Sequence, residues 1–189
     1  MVTALLIADV QNDFTEGGAL GVTGGAAVAR RVTEYLAGEA DYDFVVASRD
    51  WHDSDNDNGG HFATAEAPDF ENTWPVHCVA GTEGAQYHPD FVADAVDIHV
   101  RKGQGIPAYS MFEGSTDDGS ALVNVLRAWG VTDVDVAGIA TDYCVRASAL
   151  DAVAAGFRVR LLTDLIAGIS PETSAAAIDE MADFGVTVV

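Results

Sequence analysis

The chain has 189 residues, enough for one domain that buries a hydrophobic core without disulfides. Its 30 Asp and Glu against 9 Lys and Arg give a formal net charge of −21, which disfavours nucleic acid and anionic membranes as partners. The sequence contains no apolar run of 18 residues, no signal-peptide pattern and only two cysteines, so we expect a single cytoplasmic domain spanning residues 1–189.

Short apolar runs that end in a charged residue recur along the chain and predict the strands of a buried parallel sheet. Helices are predicted where apolar residues return at helical spacing, as Val28 and Val32 do. In chain order, we predict a strand at 3–9, a helix at 26–39, strands at 43–50 and 95–102, a helix at 120–129, a strand from 133, a helix from about 143 to 155, a strand at 157–164, a helix at 171–184 and a strand at 186–189.

Strands that alternate with helices predict an α/β fold with three layers, α/β/α, and a mostly parallel sheet of about six strands. Ligands of such sheets bind beyond the carboxyl ends of the strands. Four polar residues lie at or just past the ends of four successive predicted strands, and we expect them at one rim: Asp9, Asp50, Lys102 and Cys144. The long irregular segment 51–94 contains four of the five histidines, which indicates an ordered, functional loop.

The acidic composition allows two explanations. The acids are spread along the chain and apolar residues make up 49%, so the protein is folded and has an acidic surface. Such a surface is typical of adaptation to high salt, where ions screen the self-repulsion. A genome biased towards Ala, Gly, Asp, Val and Arg would give the same composition, and the sequence leaves both explanations open.

Cys144 is predicted in the first turn of a helix that follows a strand, where backbone N–H groups and the helix dipole favour a thiolate. Thr141 or Asp142 is predicted to cap this helix. Asp9 could take the thiol proton, and Lys102, the only lysine in the chain, could stabilise the thiolate. Each has a plainer explanation, because most free cysteines are small core residues, an Asp after a strand often caps a loop, and a lone lysine can be left by chance.

A second group surrounds the end of the second predicted strand. Asp50 and His52 are two residues apart, and His61 and His77 lie in the adjoining loop. Three imidazoles and one carboxylate suit Zn(II), Fe(II) or Mn(II) with open positions for water or substrate. Histidines in a loop are also often solvated polar residues, but three of five histidines within 26 residues favour a metal site.

Five motifs follow one another between residue 3 and the carboxyl terminus: Asp9-Val-Gln-Asn-Asp-Phe14 with a following Glu-Gly-Gly, Asp50-x-His52, Trp74-Pro-Val-His77-Cys-Val, Lys102-Gly, and Gly138-Ile-Ala-Thr-Asp-Tyr-Cys144-Val. Together they resemble the nicotinamidase/pyrazinamidase family of isochorismatase-like cysteine hydrolases. The resemblance implies an isochorismatase-like fold. It also implies a metal-dependent amidase that converts nicotinamide to nicotinate and ammonia through a thioester on Cys144, with pyrazinamide as a further substrate.

The resemblance also assigns roles to individual residues. The catalytic triad it implies is Asp9, Lys102 and Cys144. The ligands it implies for one divalent metal ion are Asp50, His52, His61 and His77, with His88 as the fallback for His61. The substrate pocket it implies is formed by Phe14, Trp74, Tyr109, Ile139 and Ala140. A cis peptide bond between Ile139 and Ala140 is implied as well, with an oxyanion hole formed by the N–H groups of Ala140 and Cys144.

Three rivals to this interpretation can be separated by sequence features. A metal-free N-carbamoyl or ureidoacrylate hydrolase would share the triad and lack the Asp-x-His and Trp-Pro-x-His motifs. An isochorismatase proper would lack a cysteine at position 144. A non-catalytic metal- or ligand-binding domain would not need the complete triad. The identity of the metal, the oligomeric state and the relative rates on nicotinamide and pyrazinamide stay open.

Overall fold

The computed structural model describes residues 1–38 and 40–189 and has one central sheet. The strand order is β4-β3-β2-β1-β5-β6-β7, and every neighbouring pair is parallel except β3 and β4. This confirms the predicted α/β class, with seven strands instead of about six. The strands are β1 Thr3–Ala8, β2 Phe44–Asp50, β3 Ile98–Lys102, β4 Ser115–Thr116, β5 Asp133–Ile139, β6 Arg158–Ala167 and β7 Thr187–Val188.

The helices follow the predicted order with shifts of a few residues at their ends. They are α1 Gly25–Gly38, α2 Leu122–Ala128, α3 Arg146–Ala154 and α4 Pro171–Asp183. The predicted end of the first helix, Glu39, lies outside the described residues. Helix α4 begins as its sequence indicates, because Ser170 accepts a hydrogen bond from the N–H of Thr173 (3.1 Å) and Pro171 occupies the first turn.

Helices cover both faces of the sheet and create two cores. Alternate residues of β1 face opposite sides, so Leu6 packs with the residues of α2, α3 and α4, whereas Leu5 and Ile7 pack with those of α1. Because β1 is buried on both faces, its sequence is a continuous apolar run from Ala4 to Ala8. Within the described ranges 1–38 and 40–189, no helix has both the length and the hydrophobicity to cross a membrane.

Strands β1 and β5 approach each other very closely at the rim. Gly138 has a φ of +115°, and a Cβ atom there would lie 2.1 Å from the carbonyl oxygen of Ala8. Only glycine tolerates both conditions. The close approach brings Asp9, directly after β1, beside the turn that carries Cys144.

Candidate active site

The structure brings the three predicted catalytic side chains together. Asp9 follows β1, Lys102 ends β3, and Cys144 lies in the π-helical turn Thr141–Val145 after β5. Lys102 Nζ lies 3.0 Å from Asp9 Oδ2 and 3.6 Å from Cys144 Sγ. All three residues are buried, so water does not screen their interactions.

Lys102 is fully buried and touches two carboxylates. Its ammonium bonds to Asp50 Oδ1, lies beside Asp9, and donates to the carbonyl oxygen of Ala108 at 3.3 Å. Burial alone would lower the pKa of Lys102, but Asp50 and Asp9 raise it well above its ordinary value. The lysine therefore carries a permanent positive charge between two acids.

Asp9 has the properties of a proton acceptor. Its Oδ1 accepts a hydrogen bond from Ser48 Oγ at 2.7 Å, and its backbone has a positive φ of 47°. Burial raises the pKa of Asp9 above its ordinary value, although Lys102 opposes this effect. A raised pKa makes a carboxylate a stronger base towards a thiol.

The buried environment of Cys144 opposes ionisation of its thiol. Burial raises the pKa of the Cys144 thiol well above its ordinary value; Lys102 lowers it, and Asp9 and Asp50 raise it further. Desolvation therefore outweighs the effect of the Lys102 cation. A base that accepts the proton of this thiol would therefore assist attack by the sulfur.

The turn before Cys144 differs from the prediction in its capping. Neither Thr141 nor Asp142 caps the helix; the carbonyl oxygen of Ala140 accepts from the N–H groups of Tyr143 and Val145, both at 3.1 Å. The Asp142 carboxylate instead accepts hydrogen bonds from the backbone of Ile169, in the loop before α4, and from the hydroxyl of Thr173, in the first turn of α4. The peptide bond Ile139–Ala140 is cis, as the family resemblance implies.

Three of the predicted metal ligands form one buried cluster. Nitrogen atoms of His52, His61 and His77 all lie within 4.8 Å of one another. Asp50 Oδ2 lies 3.6 Å from His52 Nε2 and 3.8 Å from His77 Nε2. His88 is not part of this cluster, and its Nδ1 accepts from the N–H of Asp90 at 3.1 Å.

The cluster fits a divalent metal ion. His52 Nδ1 lies 2.8 Å from the carbonyl oxygen of Gly103, and His77 Nδ1 lies 2.7 Å from that of Pro75. Each imidazole therefore donates through Nδ1 and keeps a lone pair on Nε2, as metal-binding histidines do. Among the described residues, buried His52 Nε2 and His61 Nδ1 have no hydrogen-bond partner. Burial and the neighbouring imidazoles lower the pKa of His61 to about 4, which leaves its lone pair available.

The loop that carries His61 is held by short backbone bridges and by one buried asparagine. Trp74 donates its N–H to the carbonyl oxygen of His61 at 2.9 Å, and His52 donates to that of Cys78 at 3.0 Å. Asn58 is buried, and its Oδ1 accepts from the backbone of Asp53 at 2.8 Å and of Gly105 at 3.1 Å. Sequence reasoning missed Asn58, because an asparagine in an Asp- and Asn-rich loop gives no signal of burial.

A cavity of about 450 Å³ opens beside Cys144. It is lined by four of the predicted substrate-contact residues, Phe14, Trp74, Tyr109 and Ala140. The fifth, Ile139, does not line the cavity, because its side chain is fully buried in the core that faces α1. The sequence analysis missed Leu20, Phe70, Tyr143 and Ile169.

Only some of these missed cavity residues could have been predicted from the sequence. Tyr143 precedes Cys144 in the motif, packs edge-on against Trp74 with ring centroids 5.2 Å apart, and could have been inferred from its position. Phe70 and Ile169 are 56% and 54% exposed at the cavity rim. Their sequence surroundings resemble ordinary loops, so no pattern marks them.

Comparisons with known proteins identify the family and its fold. Residues 3–189 match the family described as Isochorismatase domain. The nicotinamidase/pyrazinamidase of Mycobacterium tuberculosis is 51% identical over 186 residues, which cover 98% of this chain and 97% of that protein. The pyrazinamidase of Pyrococcus horikoshii in complex with zinc has a TM-score of 0.82 at 39% identity and covers 100% of this chain and 99% of that one. PnC1 from L. infantum in complex with nicotinate has a TM-score of 0.85 at 35% identity, with 100% and 92% covered.

Proposed function

The chain belongs to the isochorismatase domain family, and we propose that it is a nicotinamidase, a metal-dependent cysteine amidohydrolase that converts nicotinamide to nicotinate and ammonia. The observation that carries the proposal is the position of the Cys144 thiol. It lies 3.6 Å from the Lys102 ammonium, and the cavity it lines is also lined by His61 and His77 of the histidine cluster. Pyrazinamide, a similar flat heteroaromatic carboxamide, is proposed as a second substrate.

The cavity suits a flat aromatic ring. Phe14, Trp74 and Tyr109 supply aromatic walls, and Trp74 Nε1 donates to the Tyr109 hydroxyl at 3.0 Å, which fixes both side chains. A ring held between these walls would present its carboxamide to Cys144. Such positioning replaces a bimolecular encounter and lowers the barrier.

The metal ion would be held by Asp50, His52, His61 and His77. Zn(II), Fe(II) and Mn(II) all accept this set of ligands. When bound, the metal would supply Lewis acidity beside the cavity, which would help to orient a heteroaromatic ring there.

The chemistry itself is assigned to the triad. Asp9 takes the proton from Cys144 as the sulfur attacks the carboxamide carbon, and Lys102 stabilises the resulting charges. The N–H groups of Ala140 and Cys144 are proposed to hold the oxyanion. Asp9 then gives its proton to the departing ammonia as the C–N bond breaks, and water hydrolyses the Cys144 thioester to release nicotinate and restore the thiol.

Ammonia release from nicotinamide tests the proposal. The purified protein with zinc, iron or manganese is expected to release ammonia and nicotinate in equal amounts. After removal of metal with a chelator, the rate is expected to fall by about 10²-fold or more, because the substrate is no longer oriented, and added metal should restore it. Unchanged turnover in the chelated protein would favour a metal-free amidase, and no turnover with any metal would favour a non-catalytic binding domain.

We also propose that the acidic surface is an adaptation to high salt. Acidic side chains such as Glu66, Asp94 and Asp151 are exposed in separate parts of the chain. Their mutual repulsion is screened when molar salt shortens the Debye length to about 3 Å. The thermal unfolding midpoint is therefore expected to rise between dilute buffer and molar potassium chloride. Equal midpoints would leave genome bias as the explanation.

Two further assignments stay proposals. A cytoplasmic location is supported by two buried free cysteines, Cys78 and Cys144, which suit a reducing compartment. A single domain is supported by the family match over residues 3–189.

A further inference from the structure

Gln11 belongs to the first sequence motif but has no role in the mechanism above. Its side chain is fully buried. The carboxamide makes three hydrogen bonds: Oε1 accepts from the N–H of Asp50 at 2.8 Å, and Nε2 donates to the carbonyl oxygens of Asp50 and Ala85, both at 2.9 Å. One side chain therefore holds both polar backbone groups of Asp50.

Asp50 needs these hydrogen bonds because β2 extends beyond the end of its neighbour β1. β1 ends at Ala8, and its last registered pair with β2 joins Ile7 to Ala47, whereas β2 continues to Asp50. In a parallel pair, the N–H and C=O of one residue point towards the same neighbouring strand. Among the residues that the structure describes, no strand pairs with the groups of Asp50 that face β1. A carboxamide offers the donor and acceptor of the missing peptide.

The position of Asp50 matters because its carboxylate has two tasks. Oδ1 bonds to Lys102, and Oδ2 faces His52 Nε2 and His77 Nε2 at 3.6 and 3.8 Å. A shift of the Asp50 backbone would move this carboxylate relative to the imidazoles. Residues that hold a metal ligand in position influence metal affinity even though they do not touch the metal.

The loop after β1, which carries Gln11, also holds the segment that contains His77. Asp13 Oδ2 accepts from the N–H of Cys78 at 2.7 Å, directly after His77. The Asp13 carboxylate occupies the space of a side chain at Gly84, since a Cβ there would lie 2.2 Å from Oδ2. The loop after β1 thus contacts the backbone of one proposed metal ligand, Asp50, and the backbone of the residue that follows another, His77.

We propose that Gln11 is a positioning residue that sets metal affinity. Its carboxamide makes the hydrogen bonds to the backbone of Asp50 that a further peptide group of β1 would otherwise make. The inference rests on the proposed metal site. Replacing the carboxamide leaves the N–H and C=O of Asp50 buried without partners, and the strand end must rearrange to satisfy them. Loss of the Gln11 carboxamide should therefore weaken metal binding itself and not only reduce turnover.

The test is the zinc dissociation constant, measured by competition with a chromophoric chelator. Gln11→Met keeps the length of the side chain and removes its polar groups, and zinc binding is expected to weaken by about 10- to 100-fold. Gln11→Asn keeps the polar groups but cannot reach both groups of Asp50; it is expected to weaken binding in the same direction and serves if the first variant does not fold. Gln86→Met is the control, because Gln86 is exposed and follows Ala85.

The thermal unfolding midpoint of each metal-free protein separates positioning from stability. If Gln11→Met or Gln11→Asn lowers this midpoint but binds zinc as tightly as the wild type, the proposal is overturned and Gln11 is only a structural residue. If the wild type itself does not bind zinc, the proposed metal site fails and this inference fails with it. We expect zinc binding to be weaker in the two Gln11 variants. Gln86→Met should bind zinc as tightly as the wild type.

Discussion

Replacing Cys144 by alanine is expected to lower the rate of ammonia release from nicotinamide by about 10⁴- to 10⁶-fold, the loss typical of a hydrolase without its nucleophile. No other group near the substrate carboxamide can form the thioester in the proposed mechanism. The alanine variant should still fold, because Cys144 is a small buried residue and alanine fits its space. Steady-state assays with the metal-loaded variant measure the effect.

Cys78→Ala is the matched control for this variant. Cys78 is the only other cysteine, and it belongs to the core that faces α1, whereas Cys144 belongs to the opposite core. Its Sγ has one weak contact, 4.0 Å from the carbonyl oxygen of Gly84. Activity close to the wild type is expected. A Cys144→Ala variant that retained substantial turnover would show that water or another nucleophile attacks the amide.

Replacing Lys102 by methionine is expected to reduce both activity and stability. The change removes the cation between the buried carboxylates of Asp9 and Asp50 and leaves two like charges facing each other. Removing one partner of a buried ion pair typically costs about 3–5 kcal/mol of unfolding free energy. Turnover should fall by roughly 10²- to 10⁴-fold, because Asp9 no longer exchanges a proton with Cys144 beside a fixed positive charge. Denaturant unfolding and ammonia release measure the two effects.

A double variant and a control at an exposed ion pair separate the loss of stability from the loss of activity. Adding Asp9→Asn to Lys102→Met removes one of the repelling charges, so part of the lost stability should return while activity does not recover. Arg101→Met removes the preceding cation of β3, whose partner Asp117 is 65% exposed, and should cost at most about 1 kcal/mol. Equal stability losses in Arg101→Met and Lys102→Met would mean that the buried charge cluster contributes no special stability.

The order of strands and helices could be predicted because burial leaves a simple pattern in the sequence. β1 is enclosed on both faces and is apolar from Ala4 to Ala8. A polar residue follows β1 at the rim, and β2 and β3 each end in a charged residue there. Asp9, Lys102 and Cys144 could be placed at the same rim because the carboxyl ends of parallel strands lie at one edge of the sheet. The short antiparallel strand β4 was missed, because two residues cannot show any periodicity.

The details of the site depend on contacts between distant segments, which local patterns do not record. Asp142 fits the pattern of a helix cap, yet its carboxylate binds the backbone of Ile169. Ile139 lies beside Ala140 in the motif but faces the core, because successive residues of an extended strand point to opposite sides. The raised pKa of Cys144 results from burial that only the folded chain creates.

The thioester on Cys144 is the central claim, and capture by hydroxylamine tests it most directly. Hydroxylamine competes with water for a thioester, so turnover of nicotinamide in its presence should yield nicotinohydroxamate beside nicotinate. The share of hydroxamate should rise with hydroxylamine concentration and disappear in Cys144→Ala. If the wild type continues to release ammonia and yields only nicotinate at every hydroxylamine concentration, no acyl-enzyme forms and the proposed mechanism is wrong.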